Sequence, residues 1–392
     1  MNILLLRALM TLTIVPAALM LAALRPAAVR PVALTPAAVP PTVTTFTVGP
    51  KEAPVRFRGV SAVSDRVAWA SGTKGTIVRT ADGGSTWQTL AVPASDAEKL
   101  DFRDVDAIDD RIAYALSIGP GEASRIYKTI DAGAHWDLQF TNHDPKAFFD
   151  AMTFADATHG IVMSDSVDGQ FVIMQTSDGR TWTRVPPAAL PAALPNEGAF
   201  AASGTNVAMI GRAHIWIGTG AASTARVLRS SDGGRNWKAF STPIPAGPSA
   251  GIFSIAFRDE MHGVIVGGDY KQERAAIDNV AITSDGGATW TLVREHALGG
   301  FRSAVAYLPD ANGKRTTSIF AAGPAGADIS HDDGRTWQPF DVDGLHTVSV
   351  AGRRRAARAT VWGAGERGRI VRIDGFGKPA KIDKPAKRGK KG

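Results

Sequence analysis

TSDGGATW, Thr283 to Trp290, combines a hydroxyl, a carboxylate, two glycines and a tryptophan in eight residues. An Asp carboxylate accepts backbone N–H bonds from the turn that follows it, a Ser or Thr hydroxyl does the same more weakly, and Gly supplies the positive φ of a tight turn. The Trp then folds back under the turn. An indole buries roughly 150 to 250 Å², an upper bound of about 4 to 6 kcal/mol at about 25 cal/mol per Å². The same order recurs in TADGGSTW ending at Trp87, TIDAGAHW at Trp136, SSDGGRNW at Trp237 and SHDDGRTW at Trp337, and in the shortened TSDGRTW ending at Trp182. Successive Asp residues of these boxes (Asp82, Asp131, Asp178, Asp232, Asp285, Asp332) are 49, 47, 54, 53 and 47 apart. That spacing is the length of one four-stranded propeller blade with its loops.

Upstream of each box the same grammar returns. Blade 1 reads FRGVSAV from Phe57, then SDR, VAWAS, GTKG, TIVRT, the box and WQTLAV. Blade 2 follows from Phe102, blade 3 from Phe148, blade 4 from about Glu197, blade 5 from Gly251 and blade 6 from Phe301. A seventh unit starts near Leu345 but has neither a box nor a fourth strand. VTTFTV, Val43 to Val48, is a strand without a partner of its own, and adding it to blade 7 closes the ring and removes an open edge. The expected fold is all-β, a seven-bladed β-propeller over 43–377.

The boxes resemble the Asp-box, or BNR repeat, found in sialidases and in the Ycf48-like photosystem II assembly factors, over about residues 43 to 377. The resemblance implies seven blades closed by an N-terminal strand. It also implies that the box Asp and Trp residues are structural staples, and that the propeller is a scaffold docking a protein partner. Sialidases use an arginine triad beginning in an FRIP-type motif, a Tyr–Glu nucleophile and an Asp. This chain has FRGV, FRDV and FRSA but no Arg-Ile-Pro, and its four Tyr, at 114, 127, 270 and 307, form no evident Tyr–Glu pair.

With 392 residues, 44% hydrophobic and 21% charged, the chain can bury a large core. It has no cysteine, which excludes disulfides, thiolate metal sites and a Cys nucleophile. The formal charge of +7 belongs to the ends. Residues 378–392 carry seven Lys/Arg against one Asp, and residues 1–42 carry three Arg and no acid, so the body is slightly acidic and offers no nucleic-acid groove. Arg7 followed by an apolar run to Leu24 reads as a signal peptide or signal anchor over 1–24, and 25–42 as a Pro/Ala-rich linker. The expectation is an exported monomer, periplasmic or extracellular, with a membrane close to its N-terminus and its basic, disordered tail at 378–392.

First strands of blades line the central channel. The residue after each opening aromatic or apolar residue is Arg58, Arg103, Asp150, Ser254, Arg302 and His346, with Glu197 nearby in blade 4. The arginines gather on one side, and Asp150, Asp165, Asp168, Glu197 and Asp269 on the other, with Glu122 and Arg125 at the border. Uneven loops on the pole opposite the boxes mark it as the binding face. Such a mouth suits a protein partner or an anionic or zwitterionic ligand, including an anionic glycan. A carboxylate pair such as Glu122 with Glu197 would suit glycoside hydrolysis, so two functions stand side by side, a binding scaffold and a sialidase-like hydrolase. DSVDG at 165–169 lacks calcium-loop spacing and GPGEAS at 119–124 lacks a dinucleotide context. No metal or cofactor is expected. His159 and His262 read as turn residues, Trp69 and Trp362 as core.

Overall fold

A computed structural model describes residues 40–49, 54–309, 315–351 and 359–376. The proposed leader, nearly all of the linker and the basic tail lie outside these residues. Each box closes as its chemistry dictates. Asp82 accepts the Thr86 N–H at 2.9 Å and the Thr86 hydroxyl at 2.7 Å, while the Thr80 hydroxyl donates to Asp82 and accepts the Gly84 N–H, both at 2.9 Å. These bonds, the Thr86 N–H first, hold the Asp82 carboxyl down at about 2. The shortened copy compensates by donating from Arg180 and Thr181 N–H to Asp178, each at 2.8 Å. At Gly84, with φ +93°, a Cβ would lie 2.4 Å from the Phe46 ring, so only glycine fits.

The box tryptophans seal the seams between blades. Trp87 of blade 1 lies edge-on to Trp362 of blade 7 at 5.9 Å, and Trp136 of blade 2 edge-on to Trp69 of blade 1 at 6.1 Å. Trp69 and Trp362 are fully buried, so the boxes of blades 2 and 1 are fastened to the second strand of the preceding blade.

Seven four-stranded antiparallel sheets result, and first strands of consecutive blades touch around the ring. Blade 7 takes its fourth strand from Thr42–Thr47, which pairs antiparallel with Arg369–Phe376 from Thr42↔Asp374 to Thr47↔Arg369. Phe46 stacks on Trp362 at 6.1 Å, locking the closing strand into the adjacent seam. Helical structure is confined to three short 3-10 turns among the described residues, and no helix there is long and apolar enough to cross a membrane.

Blade 4 departs from the expected pattern. Its first strand is Val207–Ile210, not a strand from Glu197. The residues before it cross the channel. The Ser203 hydroxyl donates to the Ser303 carbonyl at 2.7 Å, the Thr347 hydroxyl donates to the Ser203 carbonyl at 2.9 Å, and the Thr205 and Ser254 hydroxyls share a bond of 2.7 Å. Gly204, at φ +72°, passes so close to Asp104 that a Cβ would fall 2.3 Å from its carboxylate. This plug, tied to blades 2, 5, 6 and 7, divides the channel into two blind ends. One, of about 500 Å³, opens among the first-strand ends on the box pole; the other, of about 1060 Å³, opens on the opposite pole.

Candidate functional site

The larger cavity is built by a repeated backbone fault. In blade 1 the first strand pairs Phe57↔Gly72 and then Gly59↔Ser71, leaving Arg58 without a partner residue. The same one-residue slip leaves out Arg103 in blade 2, Asp150 in blade 3, Phe253 in blade 5 and His346 in blade 7. A bulge adds a residue and re-aims its side chain. All five bulged residues line the cavity, while the residues just before them, Phe57, Phe102, Phe149, Ile252 and Leu345, are buried in the core.

On the side of blades 7, 1 and 2 the cavity is basic but internally paired. Glu366 accepts from Arg56 at 3.2 Å, Arg58 at 3.1 Å and His346 Nε2 at 2.8 Å. Burial, and then the neighbouring Arg103, pull Arg58 down to about 10, still charged at neutral pH. Burial, and then Arg58, push His346 down to about 4, so it donates to Glu366 as a neutral ring. Arg103 donates to Asp101 at 2.9 Å and to the plug carbonyl of Ala201 at 2.8 Å.

Blade 3 contributes two carboxylates in contact. Burial and the neighbouring Asp165 raise Asp150 well above the usual range, and burial raises Asp165 to about 6, so the two hold a proton between them. The Ala199 N–H donates to Asp165 at 3.0 Å. Blades 4 to 6 supply an aromatic wall. Phe200 stacks on Phe253 at 4.0 Å with an interplanar angle of 5°, Phe301 meets Phe253 edge-on at 4.6 Å, and Tyr270 stands 6.2 Å from both Phe200 and Phe253.

Of the ten expected ligand-binding residues, Arg58, Arg103, Asp150, Asp165 and Glu197 line this cavity. Glu197 is already engaged there, accepting from Arg226 Nε at 2.9 Å, the Thr219 hydroxyl at 2.7 Å and the Leu194 N–H at 2.8 Å. The other five lie elsewhere. Arg302, expected at the mouth, is only 3% exposed and pairs with Asp328 at 2.6 Å. The reason is frame. The carbonyl that crowds the second-strand glycine belongs to Arg56 in blade 1 (against Gly72) and to Phe301 in blade 6 (against Gly323). Arg302 therefore corresponds to the core residue Phe57, and Ser303 takes the mouth position. Ser254 likewise sits one residue past the mouth residue Phe253 and bonds to the plug. Glu122 is exposed beside His143 at 3.2 Å, and Arg125 is held by Asp96 at 2.7 and 2.8 Å, so Glu122 and Glu197 form no catalytic pair across this cavity. Asp168 pairs with Lys146 at 2.9 Å, and Asp269 caps a turn through the Lys271 N–H at 2.9 Å. Among the described residues no cluster of ligating side chains could hold a metal ion.

The aromatic wall is absent from the site read off the sequence, although it carries a signal. Gly-x-Phe opens blades 4, 5 and 6 alone, as GAF at 198–200, GIF at 251–253 and GGF at 299–301.

The chain is thus a strand-closed, seven-bladed propeller whose plugged channel leaves a deep polar–aromatic mouth opposite the boxes. No family model matches it, and no curated protein matches it in sequence. Among solved structures its fold is that of the Ycf48 propellers. Ycf48 bound to a D1 peptide aligns at 15% identity over 86% of this chain and 97% of that one, with a TM-score of 0.57. Ycf48 from Cyanidioschyzon merolae aligns at 16% over 84% and 98%, with a TM-score of 0.58. A streptogramin B lyase aligns comparably, at 12% identity over 85% and 97% and a TM-score of 0.58. At these identities the likeness is one of fold.

Proposed function

We propose that this chain is an exported binding scaffold that docks a segment of a protein partner in the blind mouth opposite the boxes. The observation that carries the reading is the repeated bulge, which delivers one side chain from each of five blades to one cavity of about 1060 Å³. That volume is at the upper end of ligand pockets, about 300 to 1,000 Å³. A Ycf48 structure carrying a peptide supports a protein segment as the occupant. Glycoside hydrolysis is not favoured, because its two carboxyl groups stand at least about 5 Å apart whereas Asp150 and Asp165 are in hydrogen-bond contact. Selection from a displayed random-peptide library, followed by calorimetry on parent and Arg103→Met, tests the site. Enriched peptides should lose affinity in the variant at an unchanged melting temperature; enriched peptides indifferent to Arg103→Met, Phe200→Ala and Asp150→Asn would place binding elsewhere. Export is tested by an alkaline phosphatase fusion after Thr42, expected to be active and inconsistent with the proposal if silent.

A further inference from the structure

Most polar groups of the mouth have partners inside the chain, while two buried atoms there, Arg58 Nε and Asp150 Oδ2, have none among the described residues. Arg56, Arg58 and His346 share Glu366; Arg103 has Asp101 and the Ala201 carbonyl; Lys146 has Asp168; Glu197 has Arg226 and Thr219. Asp150 is different. Its residue is 1% exposed, and its Oδ2 has no hydrogen-bond partner among the described residues. The nearest ionisable neighbour, Asp165, is itself an acid, and Arg103 acts on Asp150 only through its field. A buried carboxylate oxygen without a donor is costly. A group that brings a donor and a positive charge to that point removes the cost.

What lies beside the acid pair limits what that group can be attached to. Ala199 donates to Asp165, and the next residue, Phe200, begins the aromatic wall that runs through Phe253 to the exposed ring of Tyr270. We propose that the mouth takes a primary ammonium on an apolar or aromatic stem, the ammonium standing against Asp150 and Asp165 and the stem lying on Phe200 and Tyr270. An ammonium is a compact charge with three donors, whereas a guanidinium is a planar fork best met by both oxygens of one carboxylate. Asp150 offers one free oxygen. The inference rests on the mouth being the binding site, and it names the chemistry of the occupant.

Three probes of one shape test it on the full chain by calorimetry: phenethylamine, phenethyl alcohol and hydrocinnamate. The amine should bind at least about tenfold more tightly than the alcohol. Asp150→Asn should abolish that preference, and Asp137→Asn, on the exposed outer strand of blade 2, should leave it. Should Asp150→Asn fail to fold, Asp165→Asn makes the same test. Equal binding of amine and alcohol, or an amine preference that survives both acid-pair variants, overturns the inference. A preference for hydrocinnamate that is lost in Arg103→Met also overturns it, and shows instead that the mouth binds anions, so the broader reading stands. Failure of all three probes overturns the inference and reaches the broader reading only if peptide selection is also empty. If the amine binds, N-acetyl-phenylalanyl-lysine amide against phenylalanyl-norleucine amide tells a lysine side chain from the start of a chain.

Discussion

Phe57–Arg58 and Phe102–Arg103 are the same dipeptide as Phe301–Arg302, at the head of the same strand in a repeated blade, and they finish in different environments. In blades 1 and 2 the Phe is buried and the Arg stands at the mouth. In blade 6 the dipeptide has slipped one place, so Phe301 joins the aromatic wall and Arg302 falls on the core position held by Phe57. Asp328 meets it from the third strand, at the sheet position of the apolar Val78. A buried Arg–Asp pair has replaced an apolar one. The lesson is that residue type does not fix the role of a repeated position; its frame relative to the bulge does.

The largest expected effect follows from that slip. Arg302→Met strands Asp328 in the core and should cost about 3 to 5 kcal/mol in urea unfolding. Adding Asp328→Val should recover most of the loss, because a well-packed apolar pair is often as stable as a buried ion pair. A single variant as stable as the parent would break the equivalence of Arg302 with Phe57. Trp290→Ala gives a loss of the same order, about 3 to 5 kcal/mol, from the other pole. It should leave binding at the mouth intact in the folded fraction, which separates staple from site.

How much of this was legible in the sequence can be judged from the same residues. The boxes were, because Asp, Gly and Trp at fixed offsets act locally: Asp82 captures Thr86 and Gly84 turns within the motif itself. Closure by the N-terminal strand was legible as a missing fourth strand in blade 7. The first-strand residues of the mouth were legible where the frame held, at Arg58, Arg103, Asp150 and His346, and Asp165 and Glu197 were legible as loop carboxylates on the same face. A one-residue slip of the bulge leaves no trace in local composition, so Arg302 and Ser254 were assigned to positions one residue off. The plug was missed for a different reason. Ala201–Thr205 is small and polar like any loop, and only its contacts with four other blades distinguish it. Contacts that distant in sequence are invisible to periodicity.

A smaller effect sharpens the contrast between the acid pair of blade 3 and the paired arginines beside it. Asp165 has its carboxyl raised to about 6, so between the ordinary Asp value and 6 the folded chain holds more protons than the unfolded one. Its contribution to stability therefore falls as pH rises through that window. Asp165→Asn removes the penalty. Relative to the parent it should be no more stable at about pH 4 and more stable, by no more than about 2 kcal/mol, at about pH 7.5. His346 runs the opposite way, because its lowered value makes stability fall as pH drops from the ordinary His value toward 4. That trend is common to parent and variant and cancels in the difference. A difference that is flat with pH would mean the two acids do not share a proton.

The smallest effect on stability is expected at Arg58, where the slip did not occur. Its partner Glu366 is 41% exposed and retains Arg56 and His346, so Arg58→Met should change the unfolding free energy by less than about 1 kcal/mol. The same dipeptide thus yields a large loss in blade 6 and almost none in blade 1. Near-neutrality alone would also fit an arginine that touches nothing, so a second observable is needed, and His346 provides it. Burial is the first cause of its depression to about 4 and Arg58 the second. Removing Arg58 should raise the His346 midpoint while leaving it below the ordinary His value, since burial remains, and ring-proton NMR would follow the titration. Arg302→Met, made in the Asp328→Val background so that it folds, should leave that midpoint where it is. A His346 midpoint indifferent to Arg58 would mean that the bulge of blade 1 does not aim its arginine into the mouth, and the frame argument would fail at the blade where it is simplest.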